Sequence, residues 1–566
     1  MILRILLFLF FIVPVSFYSI GQKNIDAFHY EMTKKITCNK GAVVSAHALA
    51  SKVGVQILKD GGNAIDAAIA TQLALAVVYP GAGNIGGGGF MVAHLKSGEN
   101  ITLDYREMAP SAASRDMYLD EQGNPKMALS QDGHLSSGVP GTIAGIFACM
   151  KYARLPFNKL IQPAIQLAEK GFAVTRSQAE SFNSTKKDFI KQNTVTPAFV
   201  KSSPWKEGDT LIQKDLAQTL IRIRDNGAKG FYEGKTADLI LKEMQRGKGI
   251  ITSEDLKSYK AKLRKPDIFG YKGYTIVTMP LPSSGGIILD QMMKMIEKRD
   301  IGKNKFNSPE AVQLMVEAER RAFADRAKYL GDPDFVKVPS KKLISAEYLE
   351  DRMKDYQPGI AGSSTATLAG AIHESEETTH FNVIDNEGNA VSITTTLNNS
   401  YGSKTVVGGA GFLLNDEMDD FSVKPGVPNM YGAVGAEANS ITPGKRMLSS
   451  MTPTIVLKNK DPFMVVGTPG GTTIPTSVFQ TIVDVIDFHL SPSDAVNMPK
   501  FHHQWLPDEI NVEKDFPLNV QEELKKMGYK INARGRIGRT ELILIGPKKS
   551  FEVIADSRGD DSAAGY

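Results

Sequence analysis

The spacing of apolar residues changes character along this chain, and each change marks an element. Ala42 to Ser45 reads as a strand, and Ala48 to Lys59 follows with helical spacing, closed by Asp60-Gly61-Gly62. Asn63 is a good N-cap for AIDAAIATQLALAVVYP, whose near-continuous apolarity predicts a buried helix. GAGNIGGGGF comes next, then the strand-like MVAHLKSG and ITLDYREMAP. Residues 140 to 260 read as mainly helical, broken by turns at Gly171-Phe172, at NGAKGFYEG and at QRGKG. A charge-studded helix is expected from Pro309 to Tyr329, stopped by Gly331-Asp332-Pro333. Beyond Thr378 the pattern turns to strands: FNVID, VSITTTL, GFLLN, TPTIVL and FMVVGTPGG. A helix from Pro475 to Phe488, another over Asp494 to Asn497, and strand-like ELILIGP and FEVIAD complete the chain. Helix-rich flanks around a strand-rich middle predict a layered α/β or α+β architecture. Neither a solenoid-type repeat nor a Pro/Ser linker divides it, so one large folding unit is expected.

Composition narrows the class. The 566 residues are 42% hydrophobic and 23% charged, ordinary for a globular enzyme. The 66 basic and 62 acidic residues nearly balance and include no long basic run, so electrostatics give nucleic-acid binding no support. Residues 1–21 carry one early Arg4 and then an apolar run ending near Ser19 and Gly21, the pattern of a secretory signal peptide, with an uncleaved anchor as the alternative. No other apolar run is long enough to span a bilayer. Cys38 and Cys149, the two cysteines, lack metal-ligand spacing; they read as unpaired small apolar residues or as a single bridge.

Several familiar patterns fail on inspection. Gly81-Ala82-Gly83-Asn84-Ile85-Gly86 matches GxGxxG, but a helix precedes it and a strand follows, the reverse of a dinucleotide fingerprint. His373-Glu374 lacks a second histidine, because Glu377 stands at that position, and His502-His503 are adjacent and point apart. A metal site is therefore not expected. GxSxG is absent, which argues against an α/β-hydrolase.

Three stretches carry chemistry. Thr378-Thr379-His380 follows the turn-prone GSSTATLAGAIHESEE and heads a strand pair. Two readings stand at this point: a solvent-facing Thr-Thr opening a hairpin, or a threonine that becomes a new N-terminus. In the second case the residue carries nucleophile and base together. Asn415 to Phe421 places four acids within five positions, costly for a purely structural segment, though a solvated acidic turn is the plain reading. Thr468 to Thr473 puts Gly470-Gly471 just ahead of a helix, where exposed backbone N–H groups suit an oxyanion.

Taken in order, GGNAIDAAIA, GAGNIGGGGFM, DYREMAP, PSSGG, EAERRAFADRAKYLGDP, TTHFNVID, TTTLNNSYG, LLNDEMDDFSVKPG, KRMLSSMTPTIV and GTPGGTTIPT resemble the γ-glutamyltranspeptidases of the N-terminal-nucleophile hydrolase superfamily. The resemblance runs from about Gly41 to near the C-terminus. It implies a four-layer αββα sandwich and autocleavage between Glu377 and Thr378. That cut gives a large subunit over 22–377 and a small subunit over 378–566, intertwined as one unit. Cleavage turns the Thr378 nitrogen from an amide into an amine of pKa about 8, able to accept the Oγ proton.

By the same resemblance Thr396 contacts and tunes the nucleophile, and Gly470 and Gly471 supply the oxyanion donors. Arg106 grips the substrate α-carboxylate with Ser449 and Ser450, while Asn398, Glu417 and Asp420 hold the α-ammonium. Val423 to Met447 resembles a lid loop, with Tyr431 as the aromatic over the donor pocket. The implied activity is a secreted, periplasmic or extracellular γ-glutamyltransferase and hydrolase. It acts on glutathione and related compounds, with water or amino-acid and dipeptide acceptors, and needs no cofactor. A glutaryl-cephalosporin acylase on the same fold and a silent envelope-binding protein are the competing expectations.

Overall fold

The computed structural model describes residues 25–364, 378–427 and 435–566. The expected leader, Glu377 and Tyr431 lie outside the described residues.

Two seven-stranded antiparallel sheets form the centre. One runs, in spatial order, Ser562–Gly565, Gly41–Ser45, Thr378–Asp385, Ala390–Thr396, Gly88–His94, Asn100–Asp104 and Lys262–Arg264. The other runs Lys35–Cys38, Phe551–Ile554, Glu541–Ile545, Asp461–Gly467, Thr454–Lys458, Tyr274–Thr278 and Asp267–Tyr271. Each sheet mixes strands from before and after the Glu377–Thr378 junction, so cutting that bond would leave both halves hydrogen-bonded together.

Period-two alternation explains the layering. In Gly88–His94, Phe90 and Val92 join Val277, Ile455, Val465 and Ile543 in an apolar layer between the sheets. Met91 and Ala93 point the other way, into a core shared with the helices Ala48–Lys59, Ala64–Val78 and Phe157–Lys170. Across the second sheet Val456, Met464 and Val466 pack on the helices Gly285–Glu297, Pro309–Tyr329 and Thr473–Ile486. The result is the four-layer αββα sandwich. Asn63 caps Ala64–Val78 as expected, in a capping box with Asp66, and every residue of that helix is buried. Ala48–Lys59 and Pro309–Tyr329 keep their expected bounds.

Three local expectations are corrected. GFLLN is not a strand: only an isolated bridge, Val406 to Leu413, forms there, because Gly409 and Gly411 take positive φ and fold the chain back on itself. NGAKGFYEG is not all turn, since Lys229–Tyr232 makes one helical turn that buries Phe231 and Tyr232. The late helices begin earlier than expected, at Thr473 and Pro492. Cys38 and Cys149 are both free.

The glycine run after Ala64–Val78 acts through close approach. A Cβ on Gly87 would fall 2.1 Å from the Thr396 carbonyl oxygen, and one on Gly86 2.1 Å from that of Leu413. This helix-then-strand order rules out a dinucleotide loop and lets Gly88–His94 lie tightly against Ala390–Thr396.

Candidate active site

Thr378 is the first residue of its strand and sits directly opposite Thr396 in the antiparallel register. Both are buried, with Thr378 only 6% exposed, so the solvent-facing hairpin is excluded. The Thr396 hydroxyl accepts the Asn398 N–H at 2.7 Å. That bond fixes its rotamer and leaves its own proton to donate across the strand pair. Asn398 holds a φ of +78°, which asparagine tolerates, and its amide donates to the Asp416 carbonyl at 3.0 Å.

These residues face a small cavity of about 30 Å³, lined by Arg106, Arg326, Thr378, Thr396, Asn398, Glu417, Asp420, Ser449, Ser450, Met451, Gly471, Thr472 and Ile474. The structure thus brings together nine of the twelve residues expected from sequence. Gly470 stands immediately behind, and Glu377 and Tyr431 fall outside the described residues.

The Gly470–Gly471 turn is built for backbone donation. Gly470 has a φ of +137° and Gly471 of +54°. A side chain on Gly470 would strike the Thr473 hydroxyl at 2.4 Å. The Gly470 carbonyl is pinned by the Thr473 N–H at 3.0 Å and its hydroxyl at 2.7 Å. Among the described residues, neither glycine N–H meets an acceptor. Thr472 anchors the turn from the far side by donating to Gln504 Oε1 at 2.5 Å.

The acidic segment is a buried 3₁₀ turn, Glu417–Asp420, not a solvated one. Met418 and Phe421 insert into an apolar cluster with Tyr118 and Met447, which turns Glu417 and Asp420 towards the cavity. Asn415 locks the approach: its side chain bonds the Gly86 and Gly138 carbonyls and receives the Gly138 and Glu417 N–H groups.

Arg106 is the centre of charge. Its two terminal nitrogens donate to Glu417 and Asp420, and Glu107 lies 3.6 Å away. Burial opposes the guanidinium charge, but Glu417, Asp420 and Glu107 together hold it firmly on. Three carboxyls then share one primary cation. Among the described residues, both oxygens of Glu107 and Oε2 of Glu417 have no hydrogen-bond partner. Burial raises the Glu107 carboxyl to about 7 and lifts Glu417 and Asp420 as well, with Arg106 opposing the rise in each.

Sequence reasoning missed Glu107 and Arg326, along with Thr472, Met451 and Ile474. Glu107 is the neighbour of an expected residue, so an acid beside the clamp arginine was the available signal. Arg326 sits near the end of a long amphipathic helix among other charges and carries no local signature.

The family model for γ-glutamyltranspeptidase matches residues 50–566. The glutathione hydrolase proenzyme of Escherichia coli (strain K12) is 46% identical over 98% of this chain and 95% of its own. Among solved structures, Helicobacter pylori γ-glutamyltranspeptidase is 45% identical, with a TM-score of 0.56 over 61% of this chain and 99% of that one. A cephalosporin acylase from Bacillus halodurans superposes with a TM-score of 0.82 at 26% identity, covering 95% and 98%.

Proposed function

The chain belongs to the γ-glutamyltranspeptidase family, and we propose that it cleaves the γ-glutamyl amide of glutathione and related compounds after cutting itself between Glu377 and Thr378. The observation that carries this reading is the cavity itself. Thr378 and Thr396, register partners, line it together with Arg106, Glu417 and Asp420. A nucleophile faces a clamp of both signs, which suits an acyl group carrying an ammonium and a carboxylate.

In maturation, the Thr378 hydroxyl attacks the Glu377 carbonyl and the acyl group shifts from nitrogen to oxygen. Water then hydrolyses the ester, leaving a Glu377 carboxylate on a large subunit over 22–377. The small subunit, 378–566, begins with a free amine on Thr378. In turnover that amine takes the Oγ proton as the oxygen attacks the γ-carbonyl. The oxyanion receives the Gly470 and Gly471 N–H groups. Collapse breaks the amide bond, the amine returns the proton to the leaving nitrogen, and a γ-glutamyl ester remains on Thr378. Water or an acceptor amine attacks that ester by the same route in reverse. Thr396 steadies the nucleophile, Arg106, Ser449 and Ser450 take the α-carboxylate, and Asn398, Glu417 and Asp420 take the α-ammonium.

Residues 1–21 are proposed as the secretory leader, which places the enzyme in the periplasm or outside the cell. No helix among the described residues is long and apolar enough to cross a membrane.

The experiment is a comparison of a γ-glutamyl anilide with its glutaryl analogue, alongside N-terminal sequencing of the purified protein. Turnover of the first, with a fragment beginning at Thr378, is expected. An acid-rich clamp disfavours the glutaryl group, which brings no ammonium, so turnover of the glutaryl compound alone would establish an acylase instead. An uncut chain without turnover of either would favour the silent binding protein.

A further inference from the structure

A second guanidinium faces the cavity and has no place in the mechanism above. Arg326 lies at the C-terminal end of Pro309–Tyr329, where the helix dipole favours a cation. It is buried, and it lines the same cavity as Thr378 and Arg106. Its Nε donates to the Ser284 hydroxyl at 3.0 Å and its Nη2 to the Ser450 hydroxyl at 3.1 Å. Among the described residues it forms no ion pair with a carboxylate: Asp420 acts on it only from a distance. A buried cation held by hydroxyls alone is costly unless an anion arrives to meet it.

The hydroxyl geometry says where that anion binds. Ser284 Oγ receives Arg326 and passes its own proton to the Ser449 carbonyl at 2.7 Å, so one end of the guanidinium is fixed to the backbone. Ser450 Oγ receives the other end. A hydroxyl that accepts from a guanidinium is polarised to donate its own proton onward. Ser450 lines the cavity, so its proton is available to a ligand there.

We infer that Arg326 is a positioning and specificity residue for the α-carboxylate of the donor: it supplies the subsite's second positive charge and turns Ser450 into a dedicated donor. This rests on the γ-glutamyl reading of the site. It also accounts for an imbalance. Arg106 is shared with Glu417 and Asp420, which offset part of its charge, so Arg326 with Ser450 adds positive charge for the carboxylate beside Arg106 and Ser449.

The test uses three competitive ligands of the processed enzyme: L-glutamate, glutarate (carboxylates without the ammonium) and 4-aminobutyrate (the glutamate skeleton without its α-carboxylate). Inhibition constants are measured on wild type, Arg326→Gln, Arg326→Lys and Ser450→Ala. Arg326→Gln should weaken glutamate and glutarate about tenfold or more, the scale of one lost charge-assisted bond, while 4-aminobutyrate stays within about threefold. Arg326→Lys should recover part of the loss, because it keeps the charge without the fork. Ser450→Ala should give the same selectivity to a smaller degree, and it serves if Arg326→Gln does not fold. Equal weakening of all three ligands would make Arg326 a mere prop of the pocket wall and overturn the inference, as would unchanged binding of the two carboxylate ligands. Failure of wild type to cleave a γ-glutamyl anilide would instead overturn the functional reading.

Discussion

Asp104 and Arg106 leave the same strand end two residues apart, yet they build opposite kinds of ion cluster. Asp104 is buried and fully used. One oxygen accepts the Arg106 N–H at 3.0 Å, and the other receives Arg446 at 2.5 Å and Arg264 at 2.9 Å. Arg446 in turn reaches the Lys260 carbonyl, and Arg264 forks onto Asp334. Arg106 sits among an excess of acids, with three buried carboxyl oxygens of Glu107 and Glu417 unpartnered among the described residues. Both clusters are desolvated, so burial is not what separates them. Saturation is. The cluster whose carboxylate is saturated, leaving over only the Arg446 Nε among the described residues, ties the Asn100–Asp104 end of the first sheet to the loops around it, and the one with spare carboxyl oxygens is left open towards the cavity.

That contrast can be broken from either side. The largest effect on stability is expected from Asp104→Ala, which leaves the buried Arg446 without its carboxylate and removes one of the partners of the half-buried Arg264. Losing one partner of a buried pair costs about 3–5 kcal/mol, so the melting temperature should fall clearly while KM in the folded fraction stays close to wild type. A large rise in KM without a loss of stability would show that Asp104 belongs to the site. Arg106→Gln should do the reverse. Burial already inclines Glu107, Glu417 and Asp420 to hold protons, so the acids can neutralise themselves when their cation is gone. Catalytic efficiency (kcat/KM) on a γ-glutamyl anilide should drop by about a hundredfold or more, the cost of a buried charge contact, with only a modest thermal shift. Collapse of the fold would place Arg106 with the struts.

The smallest effect sharpens the comparison through pH. The Glu107 carboxyl rises from 4.5 to about 7 on folding, so the native state binds its proton more tightly than the unfolded chain. Its contribution is fully present below pH 4.5 and is lost as pH rises towards about 7. Glu107→Gln should therefore flatten the decline of melting temperature across that window, by on the order of 1 kcal/mol or more of relative stability at the upper end. Parallel curves for the two proteins would remove Glu107 from the account.

Much of this was legible in the chain because it rests on local chemistry. Asn63 ahead of an alanine-rich run, Pro309 opening a long helix, and Gly470-Gly471 between a strand and a helix each need only their neighbours. Thr378 was visible as a strand head, but its burial was not, since that depends on the Gly41–Ser45 and Ala390–Thr396 strands flanking it. The acidic turn misled in isolation for the same reason: Met418 and Phe421 decide which way Glu417 and Asp420 face, and their pocket comes from Tyr118, some 300 residues earlier. GFLLN has a strand's composition, but the positive-φ Gly409 before it and Gly411 at its head leave room for a single bridge. Arg326 was illegible altogether. One more charged residue on a helix gains meaning only when Ser284 and Ser450 arrive from two other segments.

The central claim is that Thr378, freed as an N-terminus, is the atom-bearing nucleophile. Intact-mass measurement of the separated fragments, before and after rapid quenching with a γ-glutamyl donor, tests it directly. The account predicts a fragment beginning at Thr378 and ending at Tyr566 that gains the mass of one γ-glutamyl group, located by peptide mapping on Thr378. An uncut chain that turns over donor, or a γ-glutamyl group found on any other residue, would contradict it.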